Sequence, residues 1–220
     1  MVIIVIKDIL NIEKIFSNNE YFGTNVWTEE KYRVISGKKE ILLSAPHSVN
    51  QFRIDDIRNA EKYTGSVVKY LSNKLDLYGI YEIFTHADPN NNEENCLYKN
   101  AVINIVNLFG IKLLIDVHSS TFKDDTDIDI VTNLRQTLCG KENIIEDLKF
   151  IADKYQLKID ENNKPNKEKA YEVIGITSSM CNIPAIRIVF NNKSLDFINN
   201  PEKAEKVVMF LEDFLSNYEI

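Results

Sequence analysis

The run "KLLIDV" at residues 112–117 is, after Lys112, apolar on successive positions, broken only by Asp116. A strand with one wet face alternates apolar and polar residues, so a continuous run marks a central strand buried on both faces. Such a strand needs helices above and below its sheet, and the rest of the chain alternates short apolar runs with amphipathic stretches in keeping with that. The fold class predicted is α/β: one domain over residues 1–220, three layers, with a central mixed, largely parallel sheet flanked by helices.

The pattern predicts strands at Val2–Ile6, Tyr32–Ser36, Ile41–Ala45, Ile80–Thr85, Lys112–Val117, Ile128–Thr132 and Ala185–Phe190. Helices fall between them. "DIRNAEKYTGSVVKYLSNKL" places Ile57, Thr64, Val68, Leu71 and Leu75 at helical spacing. "EENCLYKNAVINIVNLFG" ends on Gly110, a good C-terminal cap. The last helix starts at "NNPEK", with Asn200 as N-cap and Pro201 in its first turn. "DENNKPNKEK" is polar and reads as a surface loop.

Composition removes several function classes. A chain of 220 residues with 44% apolar content can bury one good core. A formal charge of −7 argues against coating nucleic-acid phosphates, which takes a basic face. No apolar run approaches the roughly 20 residues of a membrane span. "MVIIVIKDIL" lacks the length and basic start of a signal peptide. Cys96, Cys139 and Cys181 form neither a paired framework nor a CxxC signature. The expectation is a cytoplasmic protein with no nucleic-acid or membrane partner.

The chain has three histidines, and each falls at or just past the end of a predicted strand: His47, His86 and His118. In parallel sheets the carboxyl ends of the strands are where loops converge on a ligand. Glu61, on the edge of the apolar stripe of its predicted helix, needs a partner, because an unpaired buried carboxylate costs several kcal/mol. A metal ion supplies one; so does an ion pair with a cation such as Arg53, or a side chain that reaches out to water. Two imidazoles, a carboxylate and an open fourth position are what catalytic zinc uses, and this arrangement lowers the pKa of bound water to about 7. Asp116 points the same way as His118 along an extended chain and can hold that imidazole from behind. A rival set uses His86 in place of Glu61.

Other features weigh less. "KDDTDID" lacks the glycine and distal glutamate of a calcium loop. Ser48, Ser119 and Ser120 lie in no G-x-S-x-G elbow. Cys181, among apolar neighbours, reads as an inert buried thiol.

"SAPHSV", "AEKYTG", "ADPNNN", "LIDVHSS" and "DIDIVT", in that order, resemble the N-formylglutamate amidohydrolase family, a branch of the zinc carboxypeptidase-like amidohydrolases. The likeness runs from about Ile41 to about Phe214, and it is the order and separation of these short motifs that carry it. It implies the phosphorylase/hydrolase-like fold of the zinc carboxypeptidases and one zinc ion per chain held by His47, Glu61 and His118. It further implies that Arg53, Asn90 and Ser119 meet a small acidic or N-acyl amino acid substrate. The family carries a glutamate on a late strand as general base, and in "AIRIVF" Val189 stands in its place. Glu172 is the carboxylate expected to substitute, and Arg187, on the strand face of Val189, is expected to bind a substrate carboxylate or polarise a carbonyl if that face lines the pocket, the alternative being a structural ion pair at a strand end. The function implied is zinc-dependent cleavage of an amide bond, with Glu172, Arg187 and Arg53 in the catalytic machinery. The alternative is a degenerate relative that keeps the fold and only binds.

Overall fold

The 112–117 run lies in the middle of the molecule. In the computed structural model, which describes residues 2–23, 31–53, 56–84, 88–90, 96–122, 125–161 and 172–219, Leu113–Ser120 (β6) is the central strand of a seven-stranded sheet. The other strands are Tyr32–Ile35 (β1), Lys39–Ala45 (β2), Leu77–Glu82 (β5), Ile128–Val131 (β7), Ile159–Glu161 (β8) and Ala185–Asn191 (β9). Gln51–Phe52 (β3) and Ile57–Arg58 (β4) form a separate small hairpin. The sheet order is β1-β5-β2-β6-β9-β7-β8, with β5, β2, β6 and β9 parallel and antiparallel joins at β1 and β7.

Helices cover both faces. Val2–Ser17 (α1), Thr64–Leu75 (α2), Asn143–Lys154 (α4) and Pro201–Asn217 (α6) pack Ile9, Val67, Leu148 and Leu211 against Leu113, Ile115 and Val117 of β6. Leu97–Phe109 (α3) and Val173–Cys181 (α5) cover the opposite face, where Val102, Val106 and Ile174 meet Leu114. These are the three layers that a doubly buried central strand requires. Strand parity then puts Asp116 and His118 on the α3/α5 face with Leu114. Among the described residues no helix is long and apolar enough to cross a membrane.

Connectivity picks out one strand end. From β2 the chain reaches β5 on one side through α2, and from β5 it returns past β2 to β6 through α3, on the other face of the sheet. Successive crossovers therefore diverge at β2, and a crevice opens beyond its carboxyl end, the usual ligand position in such sheets. His47 lies two residues past that end.

Two expectations from the sequence are corrected. Val2–Ile6, read as a strand, is the start of α1. An apolar run of five residues does not distinguish strand from helix, and here Val5, Ile9 and Phe16 are buried on one helical face that continues past Lys7. The helix expected from Asp56 begins only at Thr64. Ile57 and Arg58 instead pair with Phe52 and Gln51, and Tyr63 adopts a left-handed φ of 68° that stops helical hydrogen bonding from extending backwards. β8, α4 and α5 are elements that the sequence pattern did not single out. Most of the predicted loop "DENNKPNKEK", from residue 162 on, lies outside the described residues, as does Asp124 of "KDDTDID".

Gly65 has no room for a side chain. A Cβ on Gly65, in the first turn of α2, would stand 2.6 Å from Ser48 Cβ and 2.7 Å from Phe16 Cζ. The helix thus seats directly on the loop that carries His47, with α1 closing the other side. Gly65→Ala is expected to cost about 1–3 kcal/mol, the usual range for overpacking, read as a lower urea midpoint. An unchanged midpoint would show that Phe16 swings aside.

Candidate metal centre

Three loops converge at the β2 crevice. His47 follows β2, in a turn fastened to β5 by Ser48, whose Oγ donates to Glu82 O at 2.7 Å and lies 3.1 Å from Ala45 O. Glu61 lies in the turn before α2, where its N–H donates to His47 O at 2.8 Å and its own carbonyl accepts from Thr64 Oγ1 at 2.7 Å. His118 sits near the end of β6 on the face of Asp116. All three side chains are buried, and one ligand atom from each lies within 4.8 Å of the other two.

The ring orientations define what the site can hold. His47 Nδ1 lies 3.0 Å from Glu61 Oε1, and His118 Nδ1 lies 2.9 Å from Glu61 Oε2. Each ring presents its other nitrogen to a second carboxylate: His47 Nε2 is 2.8 Å from Asp88 Oδ1, and His118 Nε2 is 2.8 Å from Asp116 Oδ2. The rings meet edge to face, 4.9 Å between centroids. A neutral imidazole has one N–H for two carboxylates. With that N–H on Nε2, the Nδ1 lone pair faces a carboxylate oxygen, and a cation must stand between them. Either a second proton or a metal ion fills that role. Histidine whose outward nitrogen is anchored on a carboxylate is the usual arrangement around a metal, so the donor set fits zinc, which takes imidazole nitrogen and carboxylate oxygen.

The carboxylates behind the rings are themselves held. Asp116 Oδ1 accepts from Ser44 Oγ at 2.7 Å, and Ser44 Oγ lies 3.0 Å from the Tyr98 hydroxyl, which donates to Ile80 O. Asp88 Oδ2 accepts from Arg53 Nε and Nη2 at 3.0 and 2.7 Å, with Arg58 Nη1 at 3.5 Å. Arg58 Nη2 also contacts Glu61 Oε1, and the main-chain N–H of Ser119 donates to Glu61 Oε2 at 2.9 Å.

Burial and charge set the protonation. Burial pushes the Glu61 carboxyl up, but His118 and then His47 pull it further the other way and hold it well below the usual carboxylate range. Burial likewise opposes ionisation of Asp88 and Asp116; His47 with Arg53, and His118 with Arg187, outweigh it and lower both. For His118 burial favours the neutral ring, yet Glu61 and Asp116 together push its pKa up to about 8. In metal-free protein a raised histidine pKa adds stability that is fully present below the unfolded value near pH 6.5 and is lost as pH rises through about 8. The metal-free protein is expected to lose about 2 kcal/mol across that window, and zinc, by replacing the proton, should remove most of this loss. Urea midpoints at pH 6 and 9, with chelator and with zinc, check it. Equal midpoints in chelator at the two pH values would contradict the arrangement.

The remaining residues singled out in the sequence are distributed around this centre. Arg187, on β9 and level with Asp116 in the strand register, brings Nη1 to 3.0 Å from Glu172 Oε2. Its Nε is 3.7 Å from Asp116 Oδ2, beyond hydrogen-bond range, and its buried Nη2 has no hydrogen-bond partner among the described residues. Glu172 is the residue at the N-terminus of α5. Asn90 donates its N–H to Asp88 Oδ1 and accepts from Val173 N at 3.0 Å, and its Nδ2 has no partner among the described residues. Ser119 contributes its main-chain N–H. Arg53 is half exposed and bound to Asp88. Val189 pairs with His118 across the β6–β9 register, and "AIRIVFN" places no carboxylate on β9. His86 lies outside the described residues.

Sequence reasoning missed Asp88 and Arg58. Asp88 opens the D-x-N turn in which only Asn90 was singled out, so its signal was in hand. Arg58 had none, because its place depends on the β3–β4 hairpin.

No protein-family profile and no curated protein matches this chain. Among solved structures, its fold is similar to that of the gene product Atu2144 from Agrobacterium tumefaciens, with a TM-score of 0.58 and 14% identity over 88% of this chain and 96% of that one. It is also similar to N-formylglutamate amidohydrolase from Ralstonia eutropha JMP134, TM-score 0.56 and 7% identity over 83% and 96% of the two chains. YndL, in a zinc-free apo form, aligns with a TM-score of 0.50 and 14% identity over 89% and 95%. Identities this low speak for the fold alone. The chain has the fold of N-formylglutamate amidohydrolase.

Proposed function

We propose that this chain is a zinc-dependent amidohydrolase that cleaves the amide bond of an N-acyl amino acid or a small peptide-like substrate. His47, Glu61 and His118 hold one zinc ion. The observation that carries the reading is the convergence of two imidazole Nδ1 atoms on one buried carboxylate, with both Nε2 atoms anchored on further carboxylates. When bound there, zinc supplies Lewis acidity, activating water and polarising the scissile carbonyl.

The chain's own residues do the rest. Asp88 and Asp116 fix the tautomer of the two imidazoles so that Nδ1 stays deprotonated. Arg187 Nη2 and Asn90 Nδ2, which have no partner among the described residues, offer N–H donors for a substrate carboxylate or carbonyl oxygen. Charge agrees with an anionic substrate. Glu61, Asp88, Asp116 and Glu172 face Arg53, Arg58 and Arg187, so with neutral imidazoles the cluster has one surplus negative charge, which a divalent cation turns into one positive. In this reading Glu172, at the N-terminus of α5 and in contact with Arg187, carries a proton to the leaving amine.

Val189 beside His118 favours a second reading, a protein that keeps the metal centre and binds an N-acyl amino acid without cleaving it. One experiment tests both. Elemental analysis of the purified protein is followed by incubation of the zinc-loaded form with a panel of N-formyl and N-acetyl amino acids. About one zinc per chain with release of the free amino acid supports the amidohydrolase. Zinc with ligand-induced thermal stabilisation but no release supports the binding protein. Absence of zinc, and no uptake when it is offered, removes both.

A further inference from the structure

The N-terminal segment supplies no ligand to the centre, yet it grips the loops that do. After α1 the chain makes a turn in which Asn19, Glu20 and Tyr21 all take left-handed φ, at 60°, 51° and 65°. Three successive non-glycine residues in that region are rare, because Cβ is crowded by the following carbonyl. The turn presents two neighbouring carbonyls to one residue, Asn50. Glu20 O accepts from Asn50 Nδ2 at 3.0 Å, and Tyr21 O accepts from the Asn50 main-chain N–H at 2.8 Å.

Asn50 carries the connection onward. Its Oδ1 accepts from the N–H of Ala60 at 2.9 Å. Residue 50 is three past His47, and residue 60 is the one before Glu61. A buried asparagine with three of its polar groups engaged thus bridges both ligand loops. The far side of Glu61 is fastened to the same segment. Glu13 of α1, also buried, accepts from the N–H of Tyr63 at 3.1 Å and from the Tyr21 hydroxyl at 2.6 Å, and Ser66 Oγ donates to it as well. Glu61 is therefore bracketed, by Asn50 through Ala60 and by Glu13 through Tyr63.

We infer that Asn50 is a positioning residue of the metal centre: by joining the left-handed turn at 19–21 to the backbone of residues 50 and 60, it sets the spacing between His47 and the Glu61 carboxylate. The inference rests on the metal reading above. It goes beyond it by making the N-terminal segment part of the device that determines metal affinity. The left-handed turn is what aims both carbonyls at Asn50.

The test uses full-length metal-free protein titrated with zinc against a chromophoric chelator, and with cobalt followed by its visible absorption. Asn50→Ala should bind zinc about 10- to 100-fold more weakly, the range for groups that orient ligands from behind, and should alter the cobalt spectrum. Asn50→Asp keeps an acceptor for Ala60 N–H and loses the donor to Glu20, and should fall between the two; it carries the test if Asn50→Ala does not fold. Ser194→Ala, which removes a buried hydrogen bond to Asp127 away from the centre, controls for general loss of stability. The inference is overturned if Asn50→Ala binds as tightly as wild type with an unchanged cobalt spectrum, or if Ser194→Ala weakens zinc equally for the same drop in melting temperature. A wild type that binds neither metal overturns the metal reading itself, and this inference with it.

Discussion

His47→Ala is expected to leave the protein folded and without metal, with zinc content falling from about one ion per chain to below about a tenth. The expectation follows from the geometry of the three loops. With His47 gone, Glu61 and His118 remain, and two ligands are too few to complete a zinc site. The fold should survive, because the carboxylates left behind keep partners. Asp88 retains Arg53 and Arg58, and Glu61 retains Arg58, His118 and the N–H of Ser119. Circular dichroism and a cooperative melt of the metal-free variant would separate loss of the ligand from loss of the fold. His118→Ala should lose its zinc in the same way. If either variant keeps zinc at wild-type stoichiometry, the ion is held elsewhere and the assignment of His47, Glu61 and His118 fails.

Glu172→Gln should leave zinc in place and lower kcat/KM on an N-formyl amino acid by about 100- to 10,000-fold, the usual worth of a positioned acid or base. The substitution keeps the shape of the side chain at the start of α5 while removing its capacity to carry a proton. The role proposed for Glu172 rests on β9. Val189 pairs with His118, and no carboxylate lies along that strand to take the role. Arg187, held between Glu172 and Asp116, gains a still stronger hold on its proton from them despite burial, and stays a fixed positive charge. Measuring rate and zinc content on the same preparation decides the outcome. A rate unchanged by the substitution would reduce Glu172 to a counter-ion for Arg187 and place the proton carrier elsewhere.

Much of the architecture could be read from the chain. The doubly apolar 112–117 run is the central strand, and Pro201 after Asn200 marks the start of the last helix. These features are local: burial on two faces and a proline at a helix start leave their mark on neighbouring residues. The error at Val2–Ile6 came from the same kind of signal cut too short, because the helical period shows only when Ile9 and Phe16 are counted with Val5.

The metal centre divides along a similar line. His47 and His118 could be picked out because each follows an apolar strand, and Asp116 because strand parity carries it to the face of His118. The sequence pattern puts Glu61 on a helix, but α2 begins only at Thr64. Its burial instead comes from a turn whose N–H is tied to His47 O. Strand ends, parity and residue chemistry were thus determined by the sequence by itself. The pairing of Nδ1 atoms across one carboxylate, the placing of Asp88 and Arg58 behind them, and the grip of Asn50 on two loops were decided only by the tertiary structure. The physical reason is that hydrogen bonds between segments 10 to 60 residues apart depend on where the sheet and its crossovers set each backbone, and no local pattern of side chains records that distance.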